Sequence, residues 1–128
     1  MRVLLDTCSF LWLAVDDPAL SDRAREVFQD PENEVFLSSV STWEIAVKHG
    51  LGRLPLPDAP ETYIPSLRQR HGIAPLPLSE EATLYLGRIP PLHRDPFDRM
   101  LVCQAIVEGM VLLTPDESIT GYPIRSIW

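Results

Sequence analysis

The chain has 128 residues and is 45% hydrophobic, so we expect one domain over residues 1–128 with a core of its own. The formal net charge of −7 excludes a general nucleic-acid coat protein, which needs a basic surface. No apolar run approaches the ~20 residues of a membrane span and no signal-type segment opens the chain, so we expect a cytoplasmic protein without membrane contact.

Neither the charge nor the cysteines exclude a nuclease. Bound divalent cations would offset part of the negative charge and attract phosphate, and every basic residue except Lys48 is Arg, which suits phosphate contacts. Cys8 and Cys103 show no metal-type spacing. We therefore expect reduced, partly buried thiols rather than a disulfide.

The first third of the chain predicts two buried strands and two helices. Residues 2–5 and 34–38 are short apolar runs, which are typical of strands in a parallel sheet. Between them, residues 9–15 predict a helix so apolar that its own core or another subunit must cover most of its sides. Ser21 is the expected N-cap of a second helix that ends at Gln29.

A third helix is predicted after the second strand. Residues 41–44 have the sequence of a capping box, so we expect the helix to run to His49 and to stop at Gly50. Its inward-facing side chains are expected to be Val40, Trp43, Val47 and Leu51.

Thirteen prolines punctuate the chain, many of them in its middle. Pro55 and Pro57 exclude a regular helix or central strand, and Pro65 should disturb a helix expected over residues 60–70. Asp95 and Pro96 suit the start of the longest helix. The remaining predicted elements are an edge strand at 73–75, a helix from Ser79 to Leu86, the end of the long helix at Gly109, a strand at 110–114 and a short strand at 124–127.

Helices separate the predicted strands along the chain. This order is typical of an α/β protein with a central parallel sheet, here of four to five strands, and helices on both faces. Open sheets of this kind bind ligands just beyond the carboxyl ends of their strands. Side chains that follow those ends are therefore the first candidates for a functional site.

Four acidic residues follow predicted strands or open predicted helices: Asp6, Glu44, Asp98 and Asp116. Carboxylates that pack together repel each other, and a divalent cation is the usual reason to tolerate this. Mg²⁺, or Mn²⁺, prefers such oxygen ligands and can activate a water and stabilise the leaving oxygen of a phosphodiester without a histidine base. The acids together predict a metal-dependent phosphodiesterase site.

Each acid taken alone also has a structural interpretation. Asp6 suits the N-cap of the next helix, and Glu44 suits the third position of the capping box and an ion pair with Lys48 four residues later. Asp116 suits a turn near Ser118. Only the occurrence of acids at four separate strand ends or helix starts favours a common site.

The segment before and within the long helix contains two acids with different predicted roles. Asp95 is interpreted as the N-cap, whereas Asp98 at the third helical position can face the other acids without breaking the cap. Thr114 either orients a water at the site or is an ordinary strand-end hydroxyl. The histidines are scattered at positions 49, 71 and 93, and we expect them on the surface rather than as ligands.

Four segments carry a resemblance to a known family. Residues 4–7, 38–46, 93–101 and 113–116 resemble the four acidic motifs of PIN-domain ribonucleases, most of all the VapC toxins of type II toxin–antitoxin pairs. The resemblance implies a PIN-like three-layer α/β fold, a metal-dependent endoribonuclease, a homodimer and a small antitoxin partner. It also implies that Asp6, Glu44, Asp98 and Asp116 are the catalytic, metal-binding acids, while Asp95 lies outside the pattern.

We therefore hypothesise a Mg²⁺- or Mn²⁺-dependent ribonuclease that cuts single-stranded or looped RNA, with Arg99 helping to meet the charge of the transition state. A phosphoacceptor receiver domain is a poorer interpretation, because it needs a lysine after a late strand and none follows Lys48. A non-catalytic interaction module remains the alternative. It would use residues 10–13 as a docking face and keep the acids only as caps.

Overall fold

The computed structural model describes residues 1–128. Its elements in chain order are β1 (Arg2–Leu5), α1 (Thr7–Val15), α2 (Asp22–Gln29), β2 (Glu34–Ser38), α3 (Ser39–Gly50), α4 (Pro60–His71), β3 (Ala74–Leu76), α5 (Glu80–Leu84), α6 (Pro96–Glu108), β4 (Val111–Leu113) and β5 (Ser126–Ile127). A 3₁₀ helix at Tyr85–Arg88 extends α5. The strands form one sheet in the order β3-β2-β1-β4-β5, with all four strand pairs parallel and β1 at the centre.

The sheet is buried on both faces, which explains its unbroken apolar strands. Val3 and Leu5 point to one face and pack in a cluster with Phe10 of α1 and Ile64 of α4. Leu4 points to the opposite face and packs in a second cluster that is built largely from α6. The predicted α/β architecture, with helices on both faces of a parallel sheet, is confirmed.

Several local predictions are confirmed, because a side chain marks each boundary. Strand β2 spans the predicted residues, and the Ser21 hydroxyl accepts a hydrogen bond from the Ala24 N–H at 3.0 Å as the N-cap of α2. Asp95 accepts from the Phe97 N–H at 2.8 Å and caps α6. Gly109 ends α6 in the left-handed region, with φ of 65°.

The prediction for α3 is wrong at its start and on its buried face. The helix begins at Ser39, because the Ser38 hydroxyl accepts a hydrogen bond from the Val40 N–H at 2.9 Å and acts as the N-cap. The capping box at 41–44 therefore does not form. Of the predicted inward stripe only Val40 is buried, whereas three members are exposed: Trp43, Val47 and Leu51.

Other boundaries shift by a few residues. Helix α1 begins at Thr7 rather than residue 9, because Asp6 caps it. The helix after Ser79 ends at Leu84 and tightens into the 3₁₀ helix, and Pro65 does not interrupt α4. Neither cysteine forms a disulfide. No helix combines the length and the apolar character that crossing a membrane requires.

Candidate active site

The carboxyl ends of β1 and β4 lie side by side and bring Asp6 next to Thr114. Leu5 pairs with Leu113 across the two strands, and the Asp6 N–H donates to the Leu113 carbonyl oxygen at 3.2 Å. The Thr114 hydroxyl donates to Asp6 Oδ2 at 2.6 Å and accepts from the Asp116 N–H at 3.1 Å. Thr114 thereby links two acids that are far apart in sequence.

Asp6 is both a helix cap and a member of the acidic site. Its Oδ1 accepts from the Ser9 N–H at 2.8 Å, which starts α1, and only 5% of the residue is exposed. Burial raises the pKa of Asp6 above its ordinary value, and Asp116 raises it further, while the hydrogen bonds from Ser9 and Thr114 oppose the rise. A carboxylate oxygen has two lone pairs, so the cap does not exclude a cation.

Glu44 reaches the site from the middle of α3. The Thr7 hydroxyl donates to Glu44 Oε1 at 2.7 Å, and Lys48 donates to Glu44 Oε2 from one turn further along the helix. The hydrogen bond with Glu44 is the main cause that raises the pKa of Lys48. Glu44 is buried, and a buried carboxylate without a positive partner is unfavourable. The ammonium group of Lys48 supplies that positive charge.

Asp98 lies in the first turn of α6 and is only partly paired. Its Oδ2 lies 2.9 Å from His93 Nε2, while its Oδ1 accepts no hydrogen bond from the protein. Burial, then repulsion by Asp95, raises the pKa of Asp98 to about 6, and Glu44 adds to the repulsion. The surrounding residues therefore leave this carboxylate short of positive charge.

Asp116 completes the group from the loop after β4. The Ser118 N–H and hydroxyl both donate to Asp116 Oδ1, at 2.9 Å and 2.6 Å, as the predicted turn requires. Desolvation alone would raise the pKa of Asp116, but the Ser118 hydrogen bonds and the nearby His93 outweigh it and lower the pKa. Asp116 Oδ2 lies 3.5 Å from His93 Nε2.

Two of the four acids, Asp98 and Asp116, lie together with His93 beyond the carboxyl ends of the strands. His93, Asp98 and Asp116 offer ligand atoms that all lie within 4.8 Å of one another. Asp6 joins them through Thr114. Glu44 is further away, yet its charge acts on Asp98.

The pKa of the Cys8 thiol responds to three of these acids. Desolvation, followed by repulsion from Asp6, Glu44 and Asp98, raises the pKa of Cys8 to about 11. Three of the four acids therefore act on one sulfur atom.

His93, which was expected on the surface rather than as a ligand, is partly buried. Its side chain is 21% exposed and lies between two of the acids. The sequence signal that could have identified it is its position five residues before Asp98, in the segment that carries the third acidic motif. Arg99, by contrast, forms no ion pair with any of the acids, and its Nε atom is buried without a partner.

The donor set fits a hard divalent cation. Its acids offer carboxylate oxygens, which Mg²⁺ and Mn²⁺ prefer, beside one imidazole nitrogen of His93, and Asp98 presents an oxygen without a protein donor. None of the cavities in the molecule is lined by the four acids; the largest, of about 380 Å³, lies between α3 and α4. The side chains of Asp98 and Asp116 are 18% and 37% exposed, so this part of the site is open to solvent.

Removing the charge of Asp95 should lower the pKa of Asp98. Asp95→Asn keeps the side-chain oxygen that caps α6 but removes a source of the repulsion that holds the Asp98 pKa near 6. A protonated Asp98 binds cations poorly, so the metal affinity of the parent protein should fall as the pH drops through about 6. In Asp95→Asn the same fall should occur at a lower pH. Carbon-13 NMR of Asp side chains follows the titration. Asp58→Asn, at an exposed position, is the control, and an unchanged Asp98 pKa in Asp95→Asn would contradict this electrostatic account.

Comparisons with known proteins agree with this architecture. A family model described as "PIN domain" matches residues 3–123. The curated protein Ribonuclease VapC16 of Mycobacterium tuberculosis is 36% identical over 64 residues, which are 50% of this chain and 45% of that protein. The match thus spans less than half the length of that relative.

Solved structures show the same fold across almost the whole chain. VapBC2 from Rickettsia felis bound to a promoter DNA fragment superposes with a TM-score of 0.73 at 16% identity and covers 99% of this chain and 98% of its own. DNA-bound VapBC from Salmonella typhimurium gives a TM-score of 0.68 at 19% identity and covers 99% and 97%. The family model spans nearly all of the sequence, and the chain belongs to the PIN-domain family.

Proposed function

We propose that this chain is a Mg²⁺- or Mn²⁺-dependent endoribonuclease that hydrolyses RNA phosphodiester bonds as the toxin of a toxin–antitoxin pair. The observation that carries the proposal is that Asp98 and Asp116 lie together, that Thr114 links Asp6 to Asp116, and that the charge of Glu44 acts on Asp98. The matched curated relative is named a ribonuclease, and the similar solved structures are titled as VapBC assemblies. These names support the activity and the biological role that we propose.

Asp6, Glu44, Asp98 and Asp116 would hold the cation. When bound, one or two such ions would supply the positive charge that activates a water and stabilises the leaving 3′ oxygen of the phosphodiester. The protein's own contribution is orientation. Thr114 holds Asp6, Thr7 holds Glu44, and Ser118 holds Asp116, each through a hydrogen bond of 2.6 to 2.9 Å.

The substrate that fits this site is a flexible strand of RNA. A single strand can bend to place one phosphate against an open acidic site, and the cation would remove the repulsion between phosphate and carboxylates. Arg99 follows Asp98 on α6 and pairs with none of the acids; its Nε atom is buried, so its two terminal guanidinium nitrogens would make the contact to phosphate. We propose that the protein acts in the cytoplasm, where it would meet cellular RNA.

We also propose that the chain forms a homodimer and binds a small antitoxin protein. Apolar side chains remain exposed on the surface of the single chain, including Val15 at the end of α1 and both Trp43 and Leu51 on α3. Subunit and antitoxin contacts would cover such side chains. The docking face expected for a non-catalytic interaction module, residues 10–13, is largely unavailable, because Phe10 and Leu13 are buried in the core. Activity and metal binding decide between the two functions.

Cleavage of RNA by the purified protein tests the enzymatic function. We expect single-stranded RNA to be cut in the presence of Mg²⁺ or Mn²⁺, cutting to stop in excess EDTA, and activity to return on adding the cation. Persistent cleavage in EDTA would rule out the metal mechanism. A protein without a specific site in a metal titration, and without cleavage, would be the interaction module. Expression of the chain should arrest bacterial growth, and co-expression of a small antitoxin that binds it should relieve the arrest.

A further inference from the structure

Contacts of the backbone N–H and of both ring nitrogens fix the orientation of His93. Its backbone N–H donates to the Tyr122 hydroxyl oxygen at 2.9 Å, and Tyr122 is only 3% exposed. Its ring Nδ1 accepts from the Arg94 N–H at 3.1 Å. Its Nε2 lies 2.9 Å from Asp98 Oδ2 and 3.5 Å from Asp116 Oδ2.

These contacts determine which ring nitrogen carries the proton. The Arg94 N–H can only donate, so Nδ1 must offer a lone pair, and the neutral ring then carries its proton on Nε2. That proton points to Asp98. Turning the ring over would put carbon atoms in both positions and lose both hydrogen bonds. The geometry is thus consistent with a single orientation and a single tautomer.

We propose that His93 is a positioning residue that holds the Asp98 and Asp116 carboxylates through its Nε2–H and is not itself a ligand of the cation. The inference rests on the proposed function only in that it concerns the same metal site. A coordinating histidine needs a lone pair on the nitrogen that faces the metal, and it usually donates its other N–H to an acceptor. In this protein the other nitrogen faces a donor, which is the wrong partner for a coordinating histidine.

This role has a consequence for the chemistry of the site. Asp98 and Asp116 come from different segments and repel each other, and the Nε2–H between them offsets part of that repulsion. Because the hydrogen bond from His93 uses Asp98 Oδ2, the other carboxylate oxygen, Oδ1, remains available to the cation. The cation is then held by oxygen atoms alone, which favours Mg²⁺ or Mn²⁺ and gives no imidazole-based advantage to Zn²⁺.

Nitrogen NMR of the histidines tests the tautomer directly. Long-range ¹H–¹⁵N spectra of the labelled protein at pH 8 should show His93 protonated at Nε2 and unprotonated at Nδ1, both without metal and with Mg²⁺ or Zn²⁺. His49 and His71 provide internal references in the same spectra. A His93 that is protonated at Nδ1, or that loses its Nε2 proton to either metal, overturns the proposal.

Two substitutions separate positioning from ligation. In His93→Gln the terminal amide reaches the position of Nε2 and can donate to Asp98, whereas in His93→Asn it reaches only the position of Nδ1. In calorimetric titrations with Mn²⁺ we expect His93→Gln to stay within about threefold of the parent protein and His93→Asn to lose about tenfold in affinity. His49→Asn is the matched control and should change nothing.

The possible outcomes are distinct. Equal losses in the Gln and Asn variants would indicate a metal ligand, and no loss in either would indicate that the contact is not needed; both overturn the proposal. Thermal unfolding of each variant identifies any that fails to fold, and the NMR result on the parent protein stands independently of them. If the parent protein binds no metal, the proposed function is refuted. The NMR spectra would still show which nitrogen of His93 carries the proton, and so whether His93 can hold the two carboxylates.

Discussion

Asp98→Asn is expected to abolish metal-dependent RNA cleavage and to stabilise the metal-free protein. The substitution removes a carboxylate that would hold the cation, so kcat should fall at least about 100-fold, the scale on which loss of one electrostatic group acts in an active site. It also removes a charge that the protein accommodates poorly, because Asp98 lies against Asp95 and Glu44 with His93 as its only donor. Loss of function and gain of stability should appear together.

The sign of the stability change follows from the pKa. The pKa of Asp98 is raised from 3.8 to about 6 in the folded protein, so the folded state holds this proton more tightly than the unfolded chain does. The carboxyl group therefore favours folding most at low pH, and this contribution is lost as the pH rises from about 4 through about 6. The difference corresponds to about 3 kcal/mol, so we expect Asp98→Asn to gain about 1–3 kcal/mol at pH 7.

Urea unfolding in EDTA at pH 7 and pH 4 measures this effect, and the gain should shrink at the lower pH. Asp116→Asn is the matched control, because the pKa of Asp116 is lowered and its charged form favours the folded state. That variant should lose cleavage as well but should not gain stability. Full cleavage by Asp98→Asn, or an equal gain in both variants, would contradict the roles assigned to these acids.

The sheet could be predicted from sequence because its strands are marked locally. An apolar run buried on both faces predicts a strand without any knowledge of its neighbours, and both β1 and β2 lie where such runs lie. The start of α6 was equally local, since Asp95 and Pro96 supply the cap and the first helical residue. These elements depend on residues close together in the chain.

Helix α3 could not be predicted in the same way, because two serines compete to start it. Ser38 is the cap that forms, and this choice removes the capping box and turns Trp43 toward the edge of a phenylalanine in α6, with ring centroids 4.8 Å apart. The apolar pattern of the helix is also misleading. Its buried positions include Ser41 and Glu44, which contact Thr7 rather than the oily core.

The places of three acids in the fold were predictable, but the donors that hold the acids were not. Asp6 and Asp116 follow strands and Asp98 opens a helix, and the parallel topology brings such positions together, whereas Glu44 lies in the middle of α3. The hydrogen bond from Thr7 to Glu44 joins residues 37 apart, and the bond from Thr114 to Asp6 joins residues 108 apart. No spacing rule predicts such pairs, because they depend on the register of β1 with its neighbours.

The structural and functional interpretations of Asp6, which the sequence set against each other, are compatible. Asp6→Asn should keep the cap, because the amide oxygen can accept from the Ser9 N–H and the amide nitrogen can donate to the Thr114 hydroxyl oxygen. Its free energy of unfolding should stay within about 1 kcal/mol of the parent protein. Its cleavage rate should nevertheless fall at least about 100-fold, because a negative ligand is lost.

Asp6→Ala should lose the same activity and stability as well. It removes the cap of α1, at a cost of about 1 kcal/mol, and leaves the buried Thr114 hydroxyl without its acceptor, at a cost of about 1–3 kcal/mol. Burial of the Asp6 charge is itself unfavourable and raises the pKa of Asp6. Removing that charge therefore offsets part of the loss in stability. Urea unfolding and RNA cleavage, measured on both variants, separate the two roles. A fully active Asp6→Asn would show that Asp6 acts only as a helix cap. An Asp6→Ala that is as stable as Asp6→Asn would show that the cap contributes little to stability.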